Sequence, residues 1–127
     1  MGMEQVVTFS TGQVPTWSVV SDLLARHGFP VQVRMIDGEL TFPDELPAET
    51  WRELRLGTPQ GMVTVRRETD RVLLVTWGNA DRELVQAWNA LTWAFAEAAE
   101  GRIMSDAGPR SAADYRLDAD LPMSLQE

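Results

Sequence analysis

The sequence predicts an α+β fold: a mostly antiparallel sheet of about five to six strands, with two main helices packed on one face. Three observations carry this expectation. β-favouring runs at 30–42 and 62–77 are joined by turn signals. Two stretches, at about 16–27 and 80–100, repeat apolar residues every three or four positions. The order is strand, helix, hairpin-linked strands, helix. That order fits a split βαβ plan with added strands, and its first unit makes a right-handed crossover if its two strands are parallel neighbours.

Val6, Val7, Thr8 and Phe9 form a β-favouring run before Ser10-Thr11-Gly12, which places a strand at about 4–10. Pro15 suits the approach to a helix, and Thr16 is its expected N-cap. Val20, Leu23, Leu24 and His27 then share one side, with Trp17 at its edge. Gly28 closes that helix, because a left-handed residue costs glycine little.

Val31, Val33 and Met35 alternate with Gln32 and Arg34, and Asp37-Gly38 supplies a two-residue hairpin turn. Folding about it pairs Ile36 with Glu39, Met35 with Leu40 and Val33 with Phe42. Ala48 to Glu53 favours a helical turn, and Trp51 to Leu56 favours a strand. Strands at 62–67 and 71–77 flank Glu68-Thr69-Asp70. Apolar residues on both faces of 71–77 mark a central strand, with Trp77 expected in the core.

Asn79 is the expected N-cap of the second helix, with Asp81 and Glu83 in its first turn. Leu84, Trp88, Leu91, Phe95 and Ala98 make its apolar stripe, and Gly101 its stop. Residues 102–105 read as a last short strand. Residues 1–106 form the expected domain. From 107 to 127 small and turn-forming residues predict an irregular tail that either packs on the domain through Tyr115, Leu117, Leu121, Met123 and Leu125 or is partly disordered.

Composition removes most reaction classes. The 127 residues contain no Cys, one His and 11 basic residues, all of them Arg. Thiol nucleophiles, Cys-bound zinc, Schiff-base lysines and P-loop lysines are therefore excluded. One His cannot build a His-rich metal site. No glycine fingerprint for nucleotides is present, no catalytic residue is nominated, and neither a cofactor nor a metal is implied. No apolar stretch is long enough for a membrane span, and no secretory signal opens the chain. A cytoplasmic location is the default expectation.

The net charge is −8, and residues 37–53 alone carry −5. Asp44, Glu45, Glu49 and Glu53 in that segment are candidates for contact with a basic partner. The same charge opposes nucleic-acid binding, which needs clustered cations. Arg66 and Arg67, with His27, are candidate anion or ligand contacts. Trp93 points away from the stripe of its helix; it is either covered by the tail or a contact for a partner or second copy.

The sequence thus favours a non-catalytic protein-interaction module. Its size, charge and layout are similar to those of small acidic bacterial immunity or adaptor proteins, although no residue motif carries that likeness. The alternative is a small-molecule-binding or enzymatic domain with its site between sheet and helices or at a dimer seam.

Overall fold

The structure is a computed structural model that describes residues 2–42, 45–105 and 108–126. Eight strands build one sheet: β1 (Gly2–Thr8), β2 (Gln32–Ile36), β3 (Glu39–Leu40), β4 (Glu53–Thr58), β5 (Gly61–Arg67), β6 (Arg71–Trp77), β7 (Arg102–Ser105) and β8 (Gly108–Ser111). Their spatial order is β3-β2-β4-β5-β6-β1-β7-β8, and every neighbouring pair is antiparallel. The helices are α1 (Trp17–Arg26), α2 (Arg82–Ala98), α3 (Ala112–Asp118) and α4 (Met123–Gln126). The class is the expected α+β, with more strands and helices than the sequence suggested.

β1 and β2, joined through α1, run in the same direction as in a split βαβ unit, but β6, β5 and β4 lie between them, so they are not parallel neighbours. β1 lies between β6 and β7, while the strand after α1 joins the opposite half of the sheet beside β4. The reason is pairing length. β1 and β6 match along their whole lengths, from Gly2 opposite Trp77 to Thr8 opposite Arg71. β7 takes the other edge of β1 at Val7 and Thr8, so neither edge is left for β2. β6 is the central strand its two-sided apolar pattern predicts.

Alternation divides the sheet into two unlike faces. Val7, Leu54, Leu56, Val63, Val65, Val72, Leu74 and Ile103 point one way and are fully or almost fully buried. α2 packs against β1, β5, β6 and β7 on this side, and α1 packs against α2. Leu91 and Phe95 of the α2 stripe are fully buried there. Trp88 adds a hydrogen bond, its indole N–H donating to the Leu74 carbonyl at 2.8 Å. The space between sheet and helices is filled by these side chains.

Two helix ends differ from expectation. Asp81, not Asn79, caps α2, its carboxylate accepting from the Leu84 N–H at 2.9 Å. At the other end Glu100 takes the left-handed conformation, with φ 52°, and the Gly101 N–H donates to the Ala96 carbonyl. Gly101 is needed for space instead. A Cβ there would lie 2.8 Å from Val7 Cγ1 and Phe9 Cε1. In α1, Thr16 occupies the N-cap position without a side-chain cap bond, and Gly28 is left-handed as predicted.

The segment from 108 onward is not irregular. β8 extends the sheet beyond β7, and α3 packs against α2. Ser111 caps α3 by accepting from the Asp114 N–H at 3.1 Å. Tyr115, Leu121 and Leu125 are buried, whereas Leu117 and Met123 face solvent. A polar cluster ties the segment down. The Tyr115 hydroxyl lies 2.8 Å from Gln5 Oε1 on β1 and 3.0 Å from Asn89 Oδ1 on α2. Asn89 donates to the Asp120 carbonyl at 2.9 Å, and Arg82 pairs with the Asp120 carboxylate at 3.0 Å. The sequence shows these anchors only as spaced apolar residues, because the partners lie on distant elements.

Two outcomes follow. Gly101→Ala crowds Val7 and Phe9 and lowers stability by about 1–3 kcal/mol, read from urea unfolding. Burial pushes the Tyr115 hydroxyl well above its ordinary value of 10.0. Its neutral form is therefore favoured by folding, and that contribution is complete below pH 10 and lost as pH rises further. Tyr115 is the one Tyr in the chain, so ultraviolet titration reads it alone. Native protein is expected to show no tyrosinate absorbance near pH 10, and unfolded protein to show it.

Candidate functional site

The acidic segment 37–53 starts at the hairpin turn and ends at the first residue of β4. Asp37 and Gly38 are both left-handed, with φ 52° and 88°. This is the geometry that makes a two-residue turn follow the twist of its strands. Met35 lies opposite Leu40 and Ile36 opposite Glu39, as the sequence predicts. The third expected pair does not form. Val33 faces Leu56 of β4, and the Thr41 hydroxyl donates to the Val33 carbonyl at 2.9 Å. β3 therefore stops at Leu40, and the chain leaves the sheet edge.

Three large apolar side chains are exposed within seven positions. Leu40 lies on β3, opposite Met35 and level with Arg55 on the uncovered face, and Phe42 and Leu46 lie beyond the departure. Leu40 is 85% exposed, Phe42 77% and Leu46 68%. They stand among Glu39, Glu45 and Glu49, which are also exposed. Scattered exposed apolar residues are ordinary, but a cluster on one short segment is a feature of contact surfaces.

The base of the segment is clamped by Asp37. Its carboxylate Oδ1 accepts from the backbone N–H groups of Arg52 at 2.7 Å and Glu53 at 2.8 Å. Its own N–H donates to the Glu53 carbonyl at 2.8 Å. The two backbone donors hold the Asp37 carboxyl below its ordinary value of 3.8. Asp37 entered the sequence reading only as a turn residue and a charge. Its clamping partners are more than a dozen residues away, so no local signal reveals them.

The other candidate acids have local uses. Glu45 accepts from the Phe42 N–H at 3.3 Å. The Glu49 carbonyl accepts from the Arg67 guanidinium. Glu53 pairs with Arg66 across β4 and β5 at 3.2 Å. Asp44 lies outside the described residues. The 48–53 stretch is one turn leading into β4, not a helix that would align Glu49 with Glu53.

The candidate cations do not converge. Arg66 and Arg67 are adjacent on β5 and so point to opposite faces. Arg67 lies over the Trp51 ring at 4.9 Å, a cation–π contact that holds it in the structure. Arg71 pairs with Asp70 at 3.2 Å and Glu68 at 3.9 Å. His27 caps α1 and packs edge-on against Trp93, ring centres 5.3 Å apart. A groove of about 860 Å³ runs between the 12–16 loop, residues 49–52 and the β5–β6 turn. Its rim carries Arg52 and Glu68, with Arg67 already engaged.

Trp93 is withdrawn as a contact residue. It is 2% exposed, enclosed between His27 and Arg116, whose guanidinium lies 5.4 Å from its ring centre. The off-stripe position signals a second buried face of α2, covered by the chain's own C-terminal segment. Trp77 departs in the opposite sense: it ends β6 on the uncovered face and is 62% exposed. It shares that face with Leu73 and Val75, as alternation requires, but the face carries no helix and Trp77 is not in the core.

Among the described residues no group of three or more His, Asp or Glu is placed to hold a metal. No helix among them is long and apolar enough to cross a membrane. Comparison of the chain with protein-family models, curated proteins and solved structures returned no match.

Asp37→Ala removes both clamping bonds and is expected to destabilise by about 1 kcal/mol, near the low end for charge-assisted bonds because solvent screens the site. The wild-type carboxyl is held below its usual range. Its contribution is therefore complete above pH 3.8 and fades as pH falls through the lower folded value. Wild type and variant should converge in acid when urea midpoints are compared across pH.

Proposed function

We propose that the protein is a non-catalytic interaction module of the immunity or adaptor type, docking through residues 37–53. The observation that carries this reading is the exposure of Leu40, Phe42 and Leu46 inside a segment of net charge −5. Apolar anchors ringed by charge of one sign suit a partner surface that is apolar at its centre and basic at its rim. The anchors provide affinity once desolvated, and the carboxylates speed encounter and reject acidic surfaces. The Asp37 clamp limits the entropy lost when the segment is bound, because its two ends are already fixed.

The competing reading, a small-molecule or enzymatic site between sheet and helices, has less support. That interface is filled by apolar side chains, and at the 860 Å³ groove Arg67 is engaged by the Glu49 carbonyl and the Trp51 ring and Glu68 by Arg71.

The test is capture from a native extract, joined to hydrogen exchange on the captured complex. Wild type is expected to retain a partner in low salt and to gain protection across 37–53. Leu40→Ser with Phe42→Ser should abolish retention, and Glu45→Gln with Glu49→Gln should weaken it by roughly tenfold. Equal retention by all variants, or protection elsewhere with none at 37–53, removes the reading.

A further inference from the structure

The sheet face that carries no helix is unlike the rest of the molecule. By alternation Glu53, Arg55 and Gly57 of β4, Met62, Thr64 and Arg66 of β5, and Arg71, Leu73, Val75 and Trp77 of β6 point to it. Glu4, Val6 and Thr8 of β1, with Arg102 and Met104 of β7, continue it. Arg34 belongs here too. Its side chain lies across Gly57, where a Cβ would meet Nε at 2.8 Å. Five of the chain's 11 Arg are thus gathered on one face with two carboxylates, in a protein of charge −8. Among the described residues, Arg34, Arg55 and Arg102 take part in none of the ion pairs. Trp77, Met62 and Val75 line a hollow of about 350 Å³ beside Arg55 and Arg66.

This is the basic, apolar surface that the acidic segment calls for. We propose that the docking partner of residues 37–53 is the open sheet face of a second copy of this chain. The inference rests on the reading of 37–53 as a docking segment. Charge complementarity argues for it: a face with a cationic excess meets a segment that carries −4 once Glu53, which pairs with Arg66 on the face, is left out, and each carries exposed apolar side chains. Position argues for it as well. The segment leaves from β3, at the edge of the sheet that bears the face. A two-fold axis then makes the contact twice and closes the assembly, so no free patch is left to propagate a fibre.

The occupant is tested with the chain itself. Trp77 is the one exposed Trp of five, so acrylamide quenching reports chiefly on this face. Sedimentation velocity should show dimers at micromolar concentration in low salt, dissociating as salt rises, with quenching of Trp77 falling as dimers form. Arg34→Glu with Arg55→Glu takes the face from +3 to −1, and Glu39→Arg with Glu49→Arg takes the segment from −5 to −1. Each double variant should associate at least roughly tenfold more weakly than wild type. Mixed together they should associate more strongly than either variant alone, because the unaltered segment of one then meets the unaltered face of the other. All these positions but Glu49 lie on strands and all are exposed, and unchanged melting temperatures confirm that the variants fold.

A wild-type chain that stays monomeric with Trp77 fully quenchable overturns the proposal. So does a dimer indifferent to both reversals, or a mixture that fails to associate. If the chain is monomeric while Leu40→Ser with Phe42→Ser still loses a partner from extract, the self-docking inference fails and the interaction-module reading stands. If neither occurs, both fail.

Discussion

The burial of α2 on two sides is the constraint from which the rest of the architecture follows. One side of the helix presents Leu84, Trp88, Leu91 and Phe95 to the sheet. The opposite side presents Trp93, which in an ordinary two-layer domain would face water. A buried indole removes well over a hundred square ångströms of apolar surface from solvent, so leaving it bare is costly. The C-terminal segment meets that need. α3 and α4 bring Tyr115, Leu121 and Leu125 under cover, and Arg116 lies on the ring. The Gln5–Asn89–Tyr115 cluster then joins sheet, helix and C-terminal segment through buried polar groups that satisfy one another.

Packing α1 and α3 against α2 on one side of the sheet has a consequence for the sheet. Its other face receives no helix, and antiparallel sheets tolerate one solvated face. Here that face accumulates Arg side chains, while the carboxylate excess collects at the β3 edge. Neither distribution is required by folding. Cross-strand pairs such as Glu53–Arg66 contribute little at exposed positions, at most about 1 kcal/mol. The separation of charge is therefore a property of the surface, and it is on surfaces that charge steers encounter.

Legibility in the sequence followed the range of the interactions. The Asp37-Gly38 turn, the Met35–Leu40 pairing, the Gly28 end of α1 and the central place of β6 depend on neighbours in the chain or on strict alternation, and each was readable. β8 and α3 depend on distant partners: Gly108–Ser111 has little β preference and becomes a strand because β7 offers it a free edge. Asn79 and Asp81 are both good caps, and only the direction of the chain after Trp77 selects Asp81. The candidate surface divides in the same way. The charge of 37–53 was legible, but the exposure of Leu40 and Phe42 was not, since alternation alone pairs them inward with Met35 and Val33. Trp77 and Trp93 exchanged roles because periodicity gives a residue's face without saying which faces are covered.

The polar chemistry of the described residues points the same way as the excluded motifs. Asp37, Asp81, Asp120 and Ser111 each complete a backbone or side-chain arrangement that holds the fold. Tyr115 is buried in its cluster, His27 is packed on Trp93, and Arg67 is fixed over Trp51. A catalytic site needs polar groups that converge on a vacant point and are perturbed toward a proton transfer. Here the perturbed carboxyls are held by N–H donors and a guanidinium, which stabilise the charged form and make them poorer bases. Leu40, Phe42, Leu46 and Trp77 stand exposed beside these engaged groups, as do Arg34, Arg55 and Arg102, which take part in no ion pair among the described residues. The 37–53 segment and the uncovered sheet face are thus two surfaces of unlike charge, one acidic and one rich in Arg.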